Sequence, residues 1–302
     1  MSFSADTKAE LCRVPLNKPC CAVAEAYGAL LFAYAFSAME IRVITGSAPF
    51  AKRLPRLLKK AFGLEFDAVS EGAKSKFSVT DPEKIRRIFD AFGYDADSAL
   101  VSHINLGVLE EDCCRASFIR GAFLAGGSIT DPSKRCHLEL VTDHRSVAGE
   151  TVSLLQEMGF SPRVTTRAGH AVIYFKQSEA AEDLFTTIGA SGAAMELMSA
   201  KVEKEMRNAI NRQINCDSAN ADKIVSAAGA QLDRIHALDR EIGLENLPRD
   251  LAELALLRVA NPEASLADLA RLADPPVTKS CINHRLRKLM RFRPEDLIGR
   301  EV

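Results

Sequence analysis

The chain has no apolar run long enough to cross a bilayer. The strongest candidate, 26–39, is uncharged but is bounded by Glu25 and Glu40, short of the ~20 residues a span requires. It reads instead as a helix covered on nearly all sides. No convincing basic segment precedes it as in a secretory signal, so neither membrane insertion nor export is expected. Cys-x-x-Cys pairs are missing too. The 8 cysteines include two adjacent pairs, Cys20-Cys21 and Cys113-Cys114. A chain of 302 residues buries enough surface not to need disulfide staples, so reduced thiols in a cytoplasmic protein are the expectation. An excess of charge is also lacking, since the net charge is −1. That balance hides an asymmetry. Between Thr278 and Arg293 lie Lys279, Arg285, Arg287, Lys288, Arg291 and Arg293, with no acidic residue. Positive charge is therefore concentrated near the C-terminal end, where it matters to a polyanion.

What is present is a repeat. Tyr27-Gly28-Ala29-Leu30-Leu31-Phe32-Ala33-Tyr34 is echoed by Arg120-Gly121-Ala122-Phe123-Leu124-Ala125-Gly126-Gly127, with the central glycines 93 residues apart. The first copy, 20–93, predicts a helix over 20–38 and a strand over 40–45. A helix over 50–62 follows, interrupted by Pro55 and stopped by Gly63. A hairpin turns at Glu71-Gly72, and Asp81-Pro82 opens a last helix. The second copy, 113–190, predicts a helix over 113–125, a strand over 136–142 and a helix over 144–158. A hairpin over Ala168-Gly169 and a helix over 178–188 close it. Two tandem α-β-α-β-β-α units bury their opening helices against each other. The fold class is α+β with pseudo-twofold symmetry. Residues 1–19 form an N-terminal helix, 20–193 the duplicated domain and 194–247 a helical linker. In the linker, helices over 195–215 and 220–242 are separated at Cys216-Asp217-Ser218.

Residues 248–302 read as an all-α helix-turn-helix domain. Ser265 caps a short helix to Leu272, Ala273-Asp274-Pro275-Pro276-Val277 breaks the chain, and Thr278 caps a basic helix to about 290. On a helical wheel Ile282, Leu286 and Leu289 form one stripe. Ser280, His284, Arg287 and Arg291 lie opposite, with Asn283 at the margin. Arginine matches guanine O6/N7 and asparagine matches adenine N6/N7, while Lys279 and Ser280 at the helix start suit a phosphate. The candidate DNA-binding residues are Thr278, Lys279, Ser280, Asn283, His284, Arg285, Arg287, Lys288 and Arg291. A merely solvated basic face is the competing reading, and the capped helix and double-proline break before it weigh against that. Apart from Cys281, His284 has no His or Cys at ligand spacing, so no metal site is expected. His137 and His144 read as ordinary strand and turn residues.

The duplicated pattern over about 20–190 resembles the LAGLIDADG homing-endonuclease fold. In that family small residues let the two motif helices approach, a role for Ser117, Gly121 and Ala125 here. The family's cutting chemistry needs an acid at the foot of each motif helix to hold divalent metal. Alignment on Gly28 and Gly121 puts Ala33 and Gly126 at those positions, which implies no catalytic residue and no cofactor. Asp131 sits in an Asp-Pro turn without a counterpart in the first copy. On the sheet, Glu40, Arg42, His137 and Glu139 are mixed in sign, while Arg163, Thr165 and Arg167 are more favourable to DNA. The helix carrying Lys52, Arg53, Arg56, Lys59 and Lys60 reads as a solvated face. These charges are compatible both with a domain that touches DNA and with one that does not.

The whole chain resembles the WhiA family, most specifically over 120–128, Asn215-Cys216-Asp217-Ser218-Ala219-Asn220 and 276–288, with Ala33 and Cys281 as mild departures. The resemblance implies a bacterial, cytoplasmic, nucleoid-associated protein that binds double-stranded DNA and is not an enzyme. It also implies a sporulation regulator in actinobacterial relatives and a factor in cell division and chromosome segregation elsewhere. A second transcription factor or a division protein is a further candidate partner. The alternatives are an active LAGLIDADG-type endonuclease and a division adaptor that does not depend on DNA.

Overall fold

A computed structural model describes residues 2–94 and 103–295, so the last residues of the 248–302 segment lie outside it. The chain divides into two compact units, 1–206 and 207–302.

The first unit opens with α1 (Phe3–Leu11). Two copies of one motif follow: α2 (Pro19–Leu31), β1 (Ala35–Phe36), β2 (Ile41–Thr45), α3 (Ala48–Phe62), β3 (Ala68–Ser70), β4 (Ser75–Val79) and α4 (Pro82–Ala91), then α5 (Asp112–Gly126), β5 (Gly127–Ile129), β6 (Leu138–Thr142), α6 (Arg145–Glu157), β7 (Arg163–Arg167), β8 (His170–Phe175) and α7 (Ser178–Ile188). The sheets are ordered β1-β2-β4-β3 and β5-β6-β8-β7, and every pairing is antiparallel. Each central strand alternates. Ile41, Val43 and Thr45 face inward in β2, as Leu138, Leu140 and Thr142 do in β6, the pattern of a sheet with one covered face. Caps fall where the residue chemistry puts them. Ser47 receives the Phe50 N–H and Asp81 receives those of Glu83 and Lys84, while Gly63 takes the left-handed conformation that ends α3.

Three features differ from the sequence expectation: Arg53, read as part of a solvated face, is buried against Glu25, and two element boundaries move. The first opening helix stops at Leu31, and the apolar run to Phe36 continues as a turn and β1. Each copy thus carries one short strand more than α-β-α-β-β-α, at β1 and at β5. An apolar run buried on all sides has no periodicity to mark where helix gives way to strand. The expected break at Cys216-Asp217-Ser218 is also corrected: α8 (Ser191–Ile242) is one continuous helix. None of those residues costs more than about 0.7 kcal/mol relative to alanine, and the helix contains no proline.

The paired helices α2 and α5 form the centre of this unit, and they meet backbone to backbone. A Cβ built on Gly28 would lie 2.0 Å from the Phe118 carbonyl oxygen, and one on Gly121 would lie 2.0 Å from that of Glu25. Of the expected small-residue ridge, Ser117 and Gly121 are buried and Ala125 is partly so. Beside this contact sits a buried ionic triad. Glu25 accepts from Arg53 Nε at 2.6 Å and Nη2 at 2.9 Å, and from Arg120 Nε at 2.8 Å. The surplus positive charge is met by carbonyls: Arg53 donates to Cys12 and Val14, and Arg120 to Ile188. Such groups are tolerated in an interior only when their hydrogen bonds are nearly complete. At the start of α8, Glu10 of α1 accepts from the N–H groups of Gly192 (2.7 Å) and Ala193 (2.9 Å).

In the second unit, the last part of α8 contributes Ile235 and Leu238 to a core shared with α9 (Arg249–Ala260), α10 (Leu266–Leu272) and α11 (Lys279–Arg291).

Gly121→Ala places a methyl group against a backbone that cannot give locally, so it is expected to destabilise by about 3 kcal/mol or more. Gly149 in α6 has nothing within 4 Å of an added Cβ, and Gly149→Ala is expected to stabilise by about 0.5–1 kcal/mol. Urea unfolding of the two variants checks the pair.

Candidate nucleic-acid interface

The last three helices build a basic surface on a small core. Leu251, Leu254 and Ala255 of α9, Leu269 and Ala270 of α10, and Ile282, Leu286 and Leu289 of α11 are all buried. The loop between α9 and α10 is held from inside. Arg258 is 2 % exposed and donates to the Ala264 carbonyl at 2.6 Å. Burial lowers its pKa from the usual arginine range. A reciprocal cap then starts α10: the Ser265 hydroxyl receives the Asp268 N–H at 3.3 Å, and the Asp268 carboxylate receives the Ser265 N–H at 3.2 Å. The turn into α11 is closed by Val277 N–H donating to the Ala270 carbonyl at 3.0 Å. Thr278 caps α11 by accepting from the Cys281 N–H at 3.2 Å.

This geometry sorts the nine candidate residues. Thr278, Lys279, Ser280, His284, Arg287, Lys288 and Arg291 are exposed, whereas Asn283 and Arg285 are half-buried. Arg285 lines a cleft with Arg249, Glu253 and Asp274 and so stands apart from the outer row. Among the described residues, the side chains of Lys279, Arg285, Arg287, Lys288 and Arg291 take part in no hydrogen bond or ion pair. Their charge meets no carboxylate among the described residues.

The sheets of the first unit behave differently. Arg42 is bound to Glu40 through two hydrogen bonds, 2.8 and 2.7 Å. In the second sheet Glu139 accepts from Arg167 at 2.8 Å and pairs with His137 at 2.5 Å. Burial pushes the Glu139 carboxyl up, but Arg167 and His137 outweigh it and hold the group below the usual carboxylate range. Glu139 is therefore ionised at neutral pH and neutralises the arginine beside it. A phosphate approaching this face has to displace a carboxylate already in place.

The feet of α2 and α5 offer no metal ligands. Ala33 follows the C-cap of α2, and Gly126 is the last residue of α5. Neither side chain has a donor atom, so the pair supplies no carboxylate for a divalent ion. A side chain at 126 also lacks room: its Cβ would stand 2.3 Å from the Val141 carbonyl oxygen and 3.3 Å from the Phe32 ring. Asp131 is exposed, and its carboxylate is engaged by Ser133 N–H (2.9 Å) and Oγ (2.6 Å) within its own turn.

Comparison with known proteins bears directly on this arrangement. Residues 115–207 match the family described as WhiA LAGLIDADG-like domain, and residues 210–293 match the WhiA C-terminal HTH domain. A protein of Ruminiclostridium cellulolyticum named probable cell division protein WhiA is 38% identical over 301 residues, covering 96% of each chain. A Desulforamulus reducens protein of the same name is 37% identical, covering 100% of this chain and 98% of its own. The chain belongs to the WhiA family. The crystal structure of full-length DUF199/WhiA from Thermatoga maritima shares the fold, with a TM-score of 0.60 at 24% identity, covering 96% of this chain and 97% of that one. The WhiA helix-turn-helix match begins inside α8, in keeping with Ile235 and Leu238 of that helix lying in the C-terminal core. One grouping escaped the sequence reading. The two adjacent cysteine pairs, treated singly as reduced thiols, converge at the N-terminal ends of α2 and α5. Their shared 93-residue offset with the central glycines was the available signal.

Ser265→Ala removes the cap that starts α10 and is expected to cost about 1 kcal/mol. Amide exchange of α10 and α11 in the intact chain should accelerate about fivefold, while exchange in α2 and α5 stays unchanged.

Proposed function

We propose that this WhiA-family chain is a non-enzymatic, sequence-preferring DNA-binding protein, acting in transcription regulation and in cell division or chromosome segregation. The observation that carries the reading is the outward row on α11, whose cationic side chains have no partner among the described residues. Arg287 projects from the middle of the helix, within reach of a base edge in the major groove, and Arg291 from its end, suited to the phosphate backbone. Lys279, Ser280 and the Thr278 cap sit at its start, beside backbone N–H groups suited to a phosphate. Lys288 and His284 extend the row, and Asn283 and Arg285 flank it. The names of the relatives support the cell-division part of the proposal. A nucleoid location and a second protein partner, a transcription factor or a division protein, belong to it as well. The absence of donor atoms at Ala33 and Gly126 supports the non-enzymatic part.

Chromatin immunoprecipitation supplies the bound segments, and fluorescence anisotropy on one of them gives the test. Arg287→Ala is expected to weaken binding by ~1–3 kcal/mol and to relax sequence preference. Lys279→Ala is expected to weaken binding to all duplexes alike and to lower the salt slope by about one. Equal affinity of wild type, Arg287→Ala and a 1–247 truncation would sink the proposal. Supercoiled plasmid incubated with Mg²⁺ or Mn²⁺ is expected to remain intact, and nicking that copurifies with the protein would restore the endonuclease alternative.

A further inference from the structure

We propose that Cys20, Cys21, Cys113 and Cys114 form a binding site for one zinc ion on the pseudo-dyad of the N-terminal unit. The four sulfur atoms all lie within 4.8 Å of one another. Four thiolates around zinc at ~2.3 Å require sulfur separations of ~3.8 Å, so shifts of about 1 Å complete a tetrahedron. A cuboidal iron–sulfur cluster gives each thiolate its own iron and spreads the sulfurs farther apart, which this cluster does not do.

The placement is systematic. Cys20 and Cys113 are 93 residues apart, as are Cys21 and Cys114, and as are Gly28 and Gly121. Each pair occupies the second and third positions of its helix, after Pro19 in α2 and after Asp112 in α5. Adjacent residues of one helix point about 100° apart, so a lone Cys-Cys pair seldom shares an ion. Here the glycine contact brings two helix ends together, and the sulfurs of one pair face those of the other. Cys21 Sγ already reaches the Cys113 carbonyl at 3.7 Å.

The surroundings suit a thiolate centre. Neither α2 nor α5 has a side-chain cap, so the four cysteines sit in the first turns of two helices at their positive ends. Lys18 Nζ lies 3.8 Å from Cys113 Sγ and offsets part of the double negative charge of a zinc tetrathiolate, against the opposing charge of Glu111 and Asp112. Cys114 is buried and Cys20 is exposed, which gives a closed back wall and an entry path. Binding displaces the thiol protons to solvent and exchanges no electrons. The ion would tie the two repeats together at one end of the helix pair.

The test uses the full chain, purified under reducing conditions without a metal-affinity step. Elemental analysis is expected to find one zinc per chain. Cobalt substitution should give thiolate-to-cobalt charge transfer and the visible bands of a tetrahedral sulfur site. Cys20→Ser/Cys113→Ser should lose both, weakening zinc binding more than about 100-fold, since even outer-shell losses cost 10–100-fold. Cys216→Ser should change neither. A readout independent of variant folding is alkylation mapped by mass spectrometry in the wild type. Zinc should protect Cys20, Cys21 and Cys113 and leave Cys216 reactive. The proposal is overturned if the reduced wild type binds neither zinc nor cobalt. It is likewise overturned if the double variant retains the metal, or if the four cysteines are found as disulfides in the reduced preparation.

Discussion

The N-terminal unit depends on two helix backbones approaching more closely than any side chain permits. Gly28 faces the Phe118 carbonyl and Gly121 faces that of Glu25. The residues supplying those carbonyls are themselves 93 positions apart, so the contact is twofold in its atoms as well as in outline. Much of the unit follows from it. Glu25 comes within reach of Arg120, and the two sheets hang from helices whose separation is set by main chain. A contact of this kind has no continuous range of adjustment, because the groups that touch are the least compressible in the chain.

Around this symmetric contact the chemistry is asymmetric. Tyr27 and Arg120 occupy equivalent positions in the repeat. The Tyr27 hydroxyl lies 2.8 Å from that of Tyr94, donates to the His103 carbonyl at 2.9 Å and accepts from the Asn105 N–H at 2.8 Å. Arg120 donates to Glu25 and to the Ile188 carbonyl. Each side chain therefore grips the segment that leaves its own repeat, one with a phenol and the other with a guanidinium. The central strands show the same divergence. Glu40 and Arg42 in the first sheet stand where His137 and Glu139 stand in the second, with the carboxylate at the other of the two positions. Duplication preserved the backbone relation while the side chains were free to change.

Legibility in the sequence followed the same division between local and long-range causes. The helices opened by Asp81-Pro82 and Thr278, the stop at Gly63 and the hairpin at Ala168-Gly169 are encoded by a few neighbouring residues, and all are present. The apolar stripe Ile282, Leu286, Leu289 is buried as its period requires. Strands β1 and β5 were not legible, because Ala35–Phe36 and Gly127–Ile129 are too short for alternation to register. The continuity of α8 was hidden for the opposite reason: three weak helix formers suggested a break that their small propensities cannot enforce. At the basic site, residue types were readable but partners were not. That Arg167 is paired to a carboxylate, while Arg287 and Arg291 have no side-chain partner among the described residues, depends on elements brought together from separate parts of the chain.

The difference between the paired and unpaired arginines gives the two units unequal standing toward a polyanion. On the sheets, a phosphate gains Arg42 or Arg167 only by displacing Glu40 or Glu139, and the released carboxylate then repels it, while Lys76 of β4 and Arg163 of β7 stand exposed beside those pairs. On α11 no such exchange is needed, since water and counterions are all that leave. The feet of α2 and α5 point the same way. Val141 and Phe32 occupy the space in which an acid at position 126 would project, so a single substitution does not recreate a metal pair there. Backbone and ring would have to move with it, against the contact that fixes both helices.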